Sequence, residues 1–147
     1  MRRIAVRTSL IHGRGVFALT NIAAGDPIIE YKGEIISAKE AQRRVERSTA
    51  EDGHTFFFNL DDGRMIDGAR DGNSARWINH SCAPNCEADQ QGDRIFIHAT
   101  RAIEEGAELF IDYRLDVEGR RTVALKRMYA CRCGARRCRG TILEARQ

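Results

Sequence analysis

A chain of 147 residues with 42% hydrophobic and 31% charged side chains falls in the one-domain range, long enough for a single core and too short for a second module. No apolar run approaches a membrane span. The opening Met1-Arg2-Arg3-Ile4-Ala5-Val6-Arg7 has no apolar core, which predicts an intracellular protein with no signal peptide and no membrane partner. The net charge of +3 is unevenly spread: residues 120–147 hold nine Lys or Arg against Glu144 alone, leaving 15 basic and 20 acidic groups in the first 119. An acidic body attracts a basic partner, while a basic tail either meets a polyanion such as nucleic acid or folds back on the body.

Residues 4–10 alternate as a strand, and Ile11-His12-Gly13-Arg14-Gly15-Val16-Phe17 turns into a second one. Its two glycines admit a ligand or another chain segment close to the backbone, but a phosphate loop would want a third glycine and a lysine. A β-like run over 28–36 carries Tyr31-Lys32-Gly33-Glu34. Ser37-Ala38-Lys39-Glu40 has capping-box spacing and opens a polar helix to about residue 48, read as an exposed insert. Thr55-Phe56-Phe57-Phe58-Asn59-Leu60 reads as a buried strand, Asp61-Asp62-Gly63 as a turn and Met65-Ile66-Asp67 as the partner strand.

One helical turn over 72–78 is expected to deliver Asn79-His80-Ser81-Cys82-Ala83-Pro84-Asn85-Cys86, the densest run of reactive residue types in the chain, followed by a polar turn. A zinc deaminase would need H-x-E before P-C-x-x-C, and this run has neither. Activation of a neighbouring Ser or Cys by His80 is disfavoured because adjacent side chains point apart. A thiolate metal ligand stays open if partners lie farther along.

Strands follow over 94–99 and 108–113, for about seven short strands and one helix: a mostly β, α+β reading with no repeat and no linker. A short helix is expected over 122–129. The five cysteines, an odd number in an intracellular chain, argue for metal or free thiols over a disulfide framework. Cys131, Cys133 and Cys138 can face one ion; tetrahedral zinc needs a fourth ligand, which Cys82 or Cys86 can supply.

Taken together, His12-Gly13-Arg14-Gly15-Val16-Phe17, Tyr31-x-Gly33, Gly72-Asn73-x-x-Arg76-Trp77-x-Asn79-His80-Ser81-Cys82-x-Pro84-Asn85, Glu108-Leu109-x-x-Asp112-Tyr113 and Cys131-x-Cys133-x4-Cys138-Arg139-Gly140 resemble the SET-domain protein lysine methyltransferases with a post-SET segment. The resemblance implies a SET domain over 1–113, with a helical insert at about 37–50, and a post-SET tail over 114–147. It implies small curled β-sheets in which the segment carrying Tyr113 threads, knot-like, beneath a loop near Asn79. S-adenosylmethionine would lie against His12, Arg14, Gly15, Phe56, Arg76, Asn79 and His80, several through backbone groups. Tyr113 and Tyr31 match the active-site tyrosines, and Cys82 completes a structural zinc site with Cys131, Cys133 and Cys138, leaving Cys86 spare. His80 is assigned to cofactor and loop architecture rather than to proton abstraction.

Two residues depart from the family pattern. Phe56 stands where many members have a tyrosine near the cofactor, which keeps the ring and loses a hydroxyl. Ile111 stands where an aromatic residue governs how many methyl groups are added, and the smaller side chain implies room for more than one. The expected partner is a protein or peptide with a basic, lysine-containing tail. From a different class, the competing function is an inactive, zinc-stabilised binding module whose Arg-rich tail holds nucleic acid or protein.

Overall fold

A computed structural model describes residues 3–10, 13–47, 57–113, 130–131, 133 and 135–141. The expected helix over 122–129, His12, Thr55 and Phe56 lie outside the described residues.

Strand β1 (Ile4–Thr8) pairs antiparallel with β2 (Arg14–Ala18), in register at Val6 and Val16. The apolar run over 28–36 divides at Lys32-Gly33 into β3 (Pro27–Tyr31) and β4 (Glu34–Ile36), which join different sheets. Helix α1 (Ala38–Arg47) begins as its cap predicts, with the Glu40 amide donating to Ser37 Oγ at 3.1 Å. Strands β5 (Phe57–Asn59) and β6 (Met65–Asp67) form a three-stranded sheet with β4, ordered β4-β6-β5.

A single 3-10 turn (Ser74–Trp77) follows, capped by Asn73, whose side chain accepts from the Ala75 amide at 3.2 Å and donates to the Glu30 carbonyl at 2.9 Å. Gly72 is required just before it: a Cβ there would lie 2.0 Å from the Gly68 carbonyl oxygen. The turn feeds β7 (Asn79–His80).

In place of the polar turn expected after Cys86 stands a strand, β8 (Cys86–Gln91), paired with β9 (Arg94–Ala99) and, beyond it, β3. β8 is the sheet's edge, so Glu87, Asp89 and Gln91 can face solvent while Cys86 and Ala88 turn inward. In β9, Ile95, Ile97 and Ala99 alternate into the core, where Val16, Ile22, Ile78 and Leu109 join them.

The long strand expected over 108–113 is reduced to β10 (Phe110–Ile111), parallel to β7. Its neighbours bond elsewhere. Glu108 bridges Phe17, the Leu109 amide donates to the Val16 carbonyl at 2.7 Å, and Tyr113 turns toward His80. The segment thus changes partner almost every residue, and no single ladder can run along it. Fold class is as expected, small β-sheets with little helix, and among the described residues no helix is long and apolar enough to cross a membrane.

Candidate functional site

The site forms where residues 78–85 clasp residues 108–113. Asn79 Nδ2 donates to the Arg14 carbonyl and to Glu108 Oε2, both at 2.9 Å, and Ser9 Oγ donates to Glu108 Oε1 at 2.7 Å. Gly15 packs directly on that carboxylate, since a Cβ would sit 2.3 Å from Glu108 Oε2. Asn85 holds the same segment with both ends of its amide: Nδ2 donates to the Glu108 carbonyl at 2.9 Å and Oδ1 accepts from the Phe110 amide at 2.8 Å. The Ser81 amide donates to the Ile111 carbonyl at 3.1 Å. Buried polar groups are thereby satisfied across long sequence separations, which locks the segment in one register.

Tyr113 leaves this clasp with its amide donating to His80 Nδ1 at 3.0 Å and its hydroxyl to the Ile78 carbonyl at 2.5 Å. Its ring meets His80 edge-on at 5.3 Å, while Tyr31 packs on Phe58 at 5.2 Å. Burial pushes both tyrosine hydroxyls well above their ordinary value, with Glu108 adding to the effect at Tyr113, and Tyr113 and Asp67 at Tyr31. Both therefore stay neutral at physiological pH and keep a proton to donate.

Between these rings runs a slot of about 10 Å³ lined by Tyr31, Phe57, Phe58, Arg76, Ile78, Ile111 and Tyr113, no wider than a single water. Phe58, Ile111 and Tyr113 also line a groove of about 420 Å³ that continues over Asn59, Ala88, Gln90 and the carboxylates of Glu87 and Asp112. Among the described residues no Lys, Arg or His lines that groove. Arg76 marks the slot's other end, where its guanidinium lies 5.0 Å from the Trp77 ring centroid and that of Arg14 lies 5.3 Å from it. Two cations thus gather at one indole, an arrangement suited to a carboxylate.

The sulfurs of Cys82, Cys131, Cys133 and Cys138 all lie within 4.8 Å of one another, with Cys82 3.8 Å from Cys131 and 4.0 Å from Cys138. Four thiolates on one zinc at about 2.3 Å stand about 3.8 Å apart, so the donor set fits that ion. Burial raises the thiols of Cys82 and Cys131. Cys133 overcomes its burial, drawn down to about 6 by backbone hydrogen bonds from Cys82 and Ala135 and by the neighbouring thiols. A group already inclined to the thiolate is what a metal needs. Cys86 stands apart in the core, pushed up to about 12 by burial.

Arg139 ties this cluster to the clasp. Its guanidinium grips Asp112 in a fork at 2.7 and 3.1 Å, and its amide donates to Cys82 Sγ at 3.3 Å. His80 lies between the two regions, its Nε2 3.4 Å from Cys82 Sγ, and burial lowers it to about 4 against the pull of Asp112. It is neutral at physiological pH.

Of the residues singled out in sequence, Tyr31, Ile111, Tyr113 and Arg76 meet at the slot, Arg14 lies over Trp77 as Arg76 does, and Gly15, Asn79 and His80 belong to the clasp. The side chains of Asn79 and His80 are engaged inside the protein. Glu108, Asn85 and the Asp112 and Arg139 pair were not singled out; the signal for all four was their place within the matching motifs.

A family model for the SET domain matches residues 13–114. The chain is 39% identical over 138 residues to the histone-lysine N-methyltransferase ash1 of Drosophila melanogaster, covering 88% of this chain and 6% of that protein. It is 38% identical over 140 residues to histone-lysine N-methyltransferase 2B of Homo sapiens, covering 92% and 5%. With the H3 lysine-4 specific histone-lysine N-methyltransferase of Schizosaccharomyces pombe it shares 42% over 137 residues, covering 90% and 14%. The chain thus spans a small fraction of these relatives' lengths. Matched over most of its residues, and closing on a cysteine cluster that fits a post-SET zinc site, the chain belongs to the SET domain family.

Proposed function

We propose that the chain is a protein-lysine N-methyltransferase that moves a methyl group from S-adenosylmethionine to a lysine of a basic, histone-like tail, with a structural zinc. The slot supports this reading: narrow and aromatic, with Arg76 in its lining and a groove bearing Glu87 and Asp112 that shares Phe58, Ile111 and Tyr113 with it. The names of the relatives agree with it.

In this reading residues 1–113 form the catalytic body, with an insert over about 37–50, and residues 114–147 the post-SET tail. Arg14 and Arg76 hold the donor's carboxylate, and Gly15, Asn79 and His80 offer backbone, with His12 and Phe56 completing that side. Cys82, Cys131, Cys133 and Cys138 hold the zinc. When bound, S-adenosylmethionine supplies an electrophilic methyl on a sulfonium; the sulfur–carbon bond breaks as the carbon–nitrogen bond forms. Free lysine has a pKa of about 10.4, and the dry slot between Tyr31, Phe58 and Tyr113 favours its neutral form. Because the Tyr113 proton is given to Ile78, its oxygen keeps lone pairs to accept an N–H from the amine and turn the nitrogen's own lone pair along the slot. Glu87 makes the groove attractive to basic residues flanking the lysine, while Asp112 is paired with Arg139.

Ile111 lines both slot and groove, and in place of an aromatic ring it leaves room for a second methyl. Mass spectrometry of a methylated peptide should show di- or trimethyl product from the wild type and a shift to monomethyl in Ile111→Phe. Monomethyl product alone from the wild type contradicts that assignment. The function itself is tested by a lysine-peptide array with labelled S-adenosylmethionine. Label on lysine in basic sequences is expected; no label and no calorimetric binding of the donor would favour a binding module.

A further inference from the structure

We infer that His80 is a positioning residue that couples the zinc corner to the catalytic tyrosine, using one ring nitrogen for each. This rests on the methyltransferase reading above for the role of Tyr113, but the coupling itself stands on geometry. The His80 side chain is only 3% exposed and spans two regions: Nδ1 lies 3.0 Å from the Tyr113 amide and Nε2 3.4 Å from Cys82 Sγ.

The proton inventory fixes how the ring is used. A backbone amide can only donate, so Nδ1 is the bare nitrogen and accepts from Tyr113. The ring's proton then sits on Nε2 and points at Cys82, whose sulfur also receives the Arg139 amide at 3.3 Å. The opposite tautomer would need Asp112 as acceptor for Nδ1–H. Asp112 is 3.6 Å away, beyond a normal hydrogen bond, and its oxygens are held by the Arg139 fork. Two N–H donors on one sulfur favour the thiolate that a metal requires, and a ligand's outer partners set its orientation.

The consequence is a mechanical link. Metal binding fixes the Cys82 sulfur, the sulfur fixes the rotation of the imidazole, and the imidazole fixes the backbone at Tyr113. Displacements of about 1 Å at a reacting group cost about 10²-fold in rate, so loosening the cysteine corner lowers kcat without direct contact with substrate.

Two substitutions separate the halves. In His80→Asn the amide oxygen falls near the place of Nδ1 and accepts from Tyr113, while Cys82 is out of reach. In His80→Gln the longer side chain places its amide N–H near Nε2 and toward Cys82. His80→Asn should release zinc to a chromogenic chelator about tenfold faster, keep the Tyr113 amide proton protected from exchange, and lose kcat because the side chain no longer has its anchor on Cys82. His80→Gln should hold zinc as the wild type does, exchange the Tyr113 amide at least tenfold faster, and lose kcat with little change in KM. If both variants lose both properties in step, the ring is simply packing and the proposal is overturned.

A measurement on the wild type guards against variants that do not fold: nitrogen-15 shifts of His80 should show a pyridine-like Nδ1 and a protonated Nε2, and the reverse tautomer refutes the coupling. Should the wild type transfer no methyl to any lysine peptide, the function proposed above fails, while zinc release, amide exchange and tautomer still decide the role of His80.

Discussion

The clasp around Tyr113 and the helical insert are both held by polar contacts, yet they are built in opposite ways. In the clasp, Asn79 and Asn85 are buried amides that bond to backbone and to Glu108: Asn79 Nδ2 donates to two acceptors and each end of the Asn85 amide has one partner, all at 2.8–2.9 Å. In the insert, α1 presents Ala41 to the core and is tied down by Arg44, which reaches Glu34 at 2.9 Å and Asp67 at 2.8 Å, with Glu40 at 3.6 Å. Buried amides leave a full desolvation cost if a partner is lost, whereas the pairs of Arg44 with Glu34 and Glu40 are partly exposed and screened, and only its pair with Asp67 ends on a buried carboxylate. Buried polar contacts are therefore concentrated around the segment that carries Tyr113.

That contrast can be broken or sharpened by substitution. The largest effect is expected from Cys82→Ser, which removes a zinc ligand and the acceptor of two N–H groups: zinc content and methyl transfer should fall together, with Cys86→Ser leaving zinc unchanged. Zinc analysis of the two purified proteins checks this, and the opposite pattern would reassign the fourth ligand to Cys86. Next, Asn85→Ala strands the Glu108 carbonyl and the Phe110 amide, and should cost about 1–3 kcal/mol in denaturant unfolding. The smallest effect is assigned to Arg43→Ala, which removes an exposed pair with Glu40 at 3.4 Å and should lower the melting temperature slightly, less so as salt is raised. A larger loss for Arg43→Ala than for Asn85→Ala would invert the comparison.

Local features of this fold were legible in the sequence, and long-range ones were not. The cap at Ser37, the alternation of Ile95, Ile97 and Ala99 and the turn before Asn79 all depend on neighbours within a few residues. β8 was missed because an edge strand can be polar on alternate positions, which makes Glu87-Ala88-Asp89-Gln90-Gln91 look like a turn. The run over 108–113 read as one strand because its composition is β-like, but its backbone is shared among β2, β7 and the Asn85 side chain.

The site shows the same division. Spacing brought Cys131, Cys133 and Cys138 together, while the choice of Cys82 over Cys86 came from family resemblance and is matched by the sulfur positions. The contacts that organise the clasp join residues 23 to 99 positions apart, from Asn85 with Glu108 to Ser9 with Glu108, and leave no periodic trace. His80 shows how a residue type can be recognised while its direction is not: a histidine beside a cofactor motif gives no sign that its ring faces Tyr113 and Cys82.

The central claim is that Tyr113 aligns the reacting groups in the slot and takes no part in holding the donor. Calorimetry with S-adenosylmethionine and labelled-methyl transfer, run side by side on wild type and Tyr113→Phe, test it most directly. Donor affinity should change by less than about threefold while transfer falls by about 10²-fold or more. Unchanged transfer, or transfer lost only because the donor no longer binds, would contradict it.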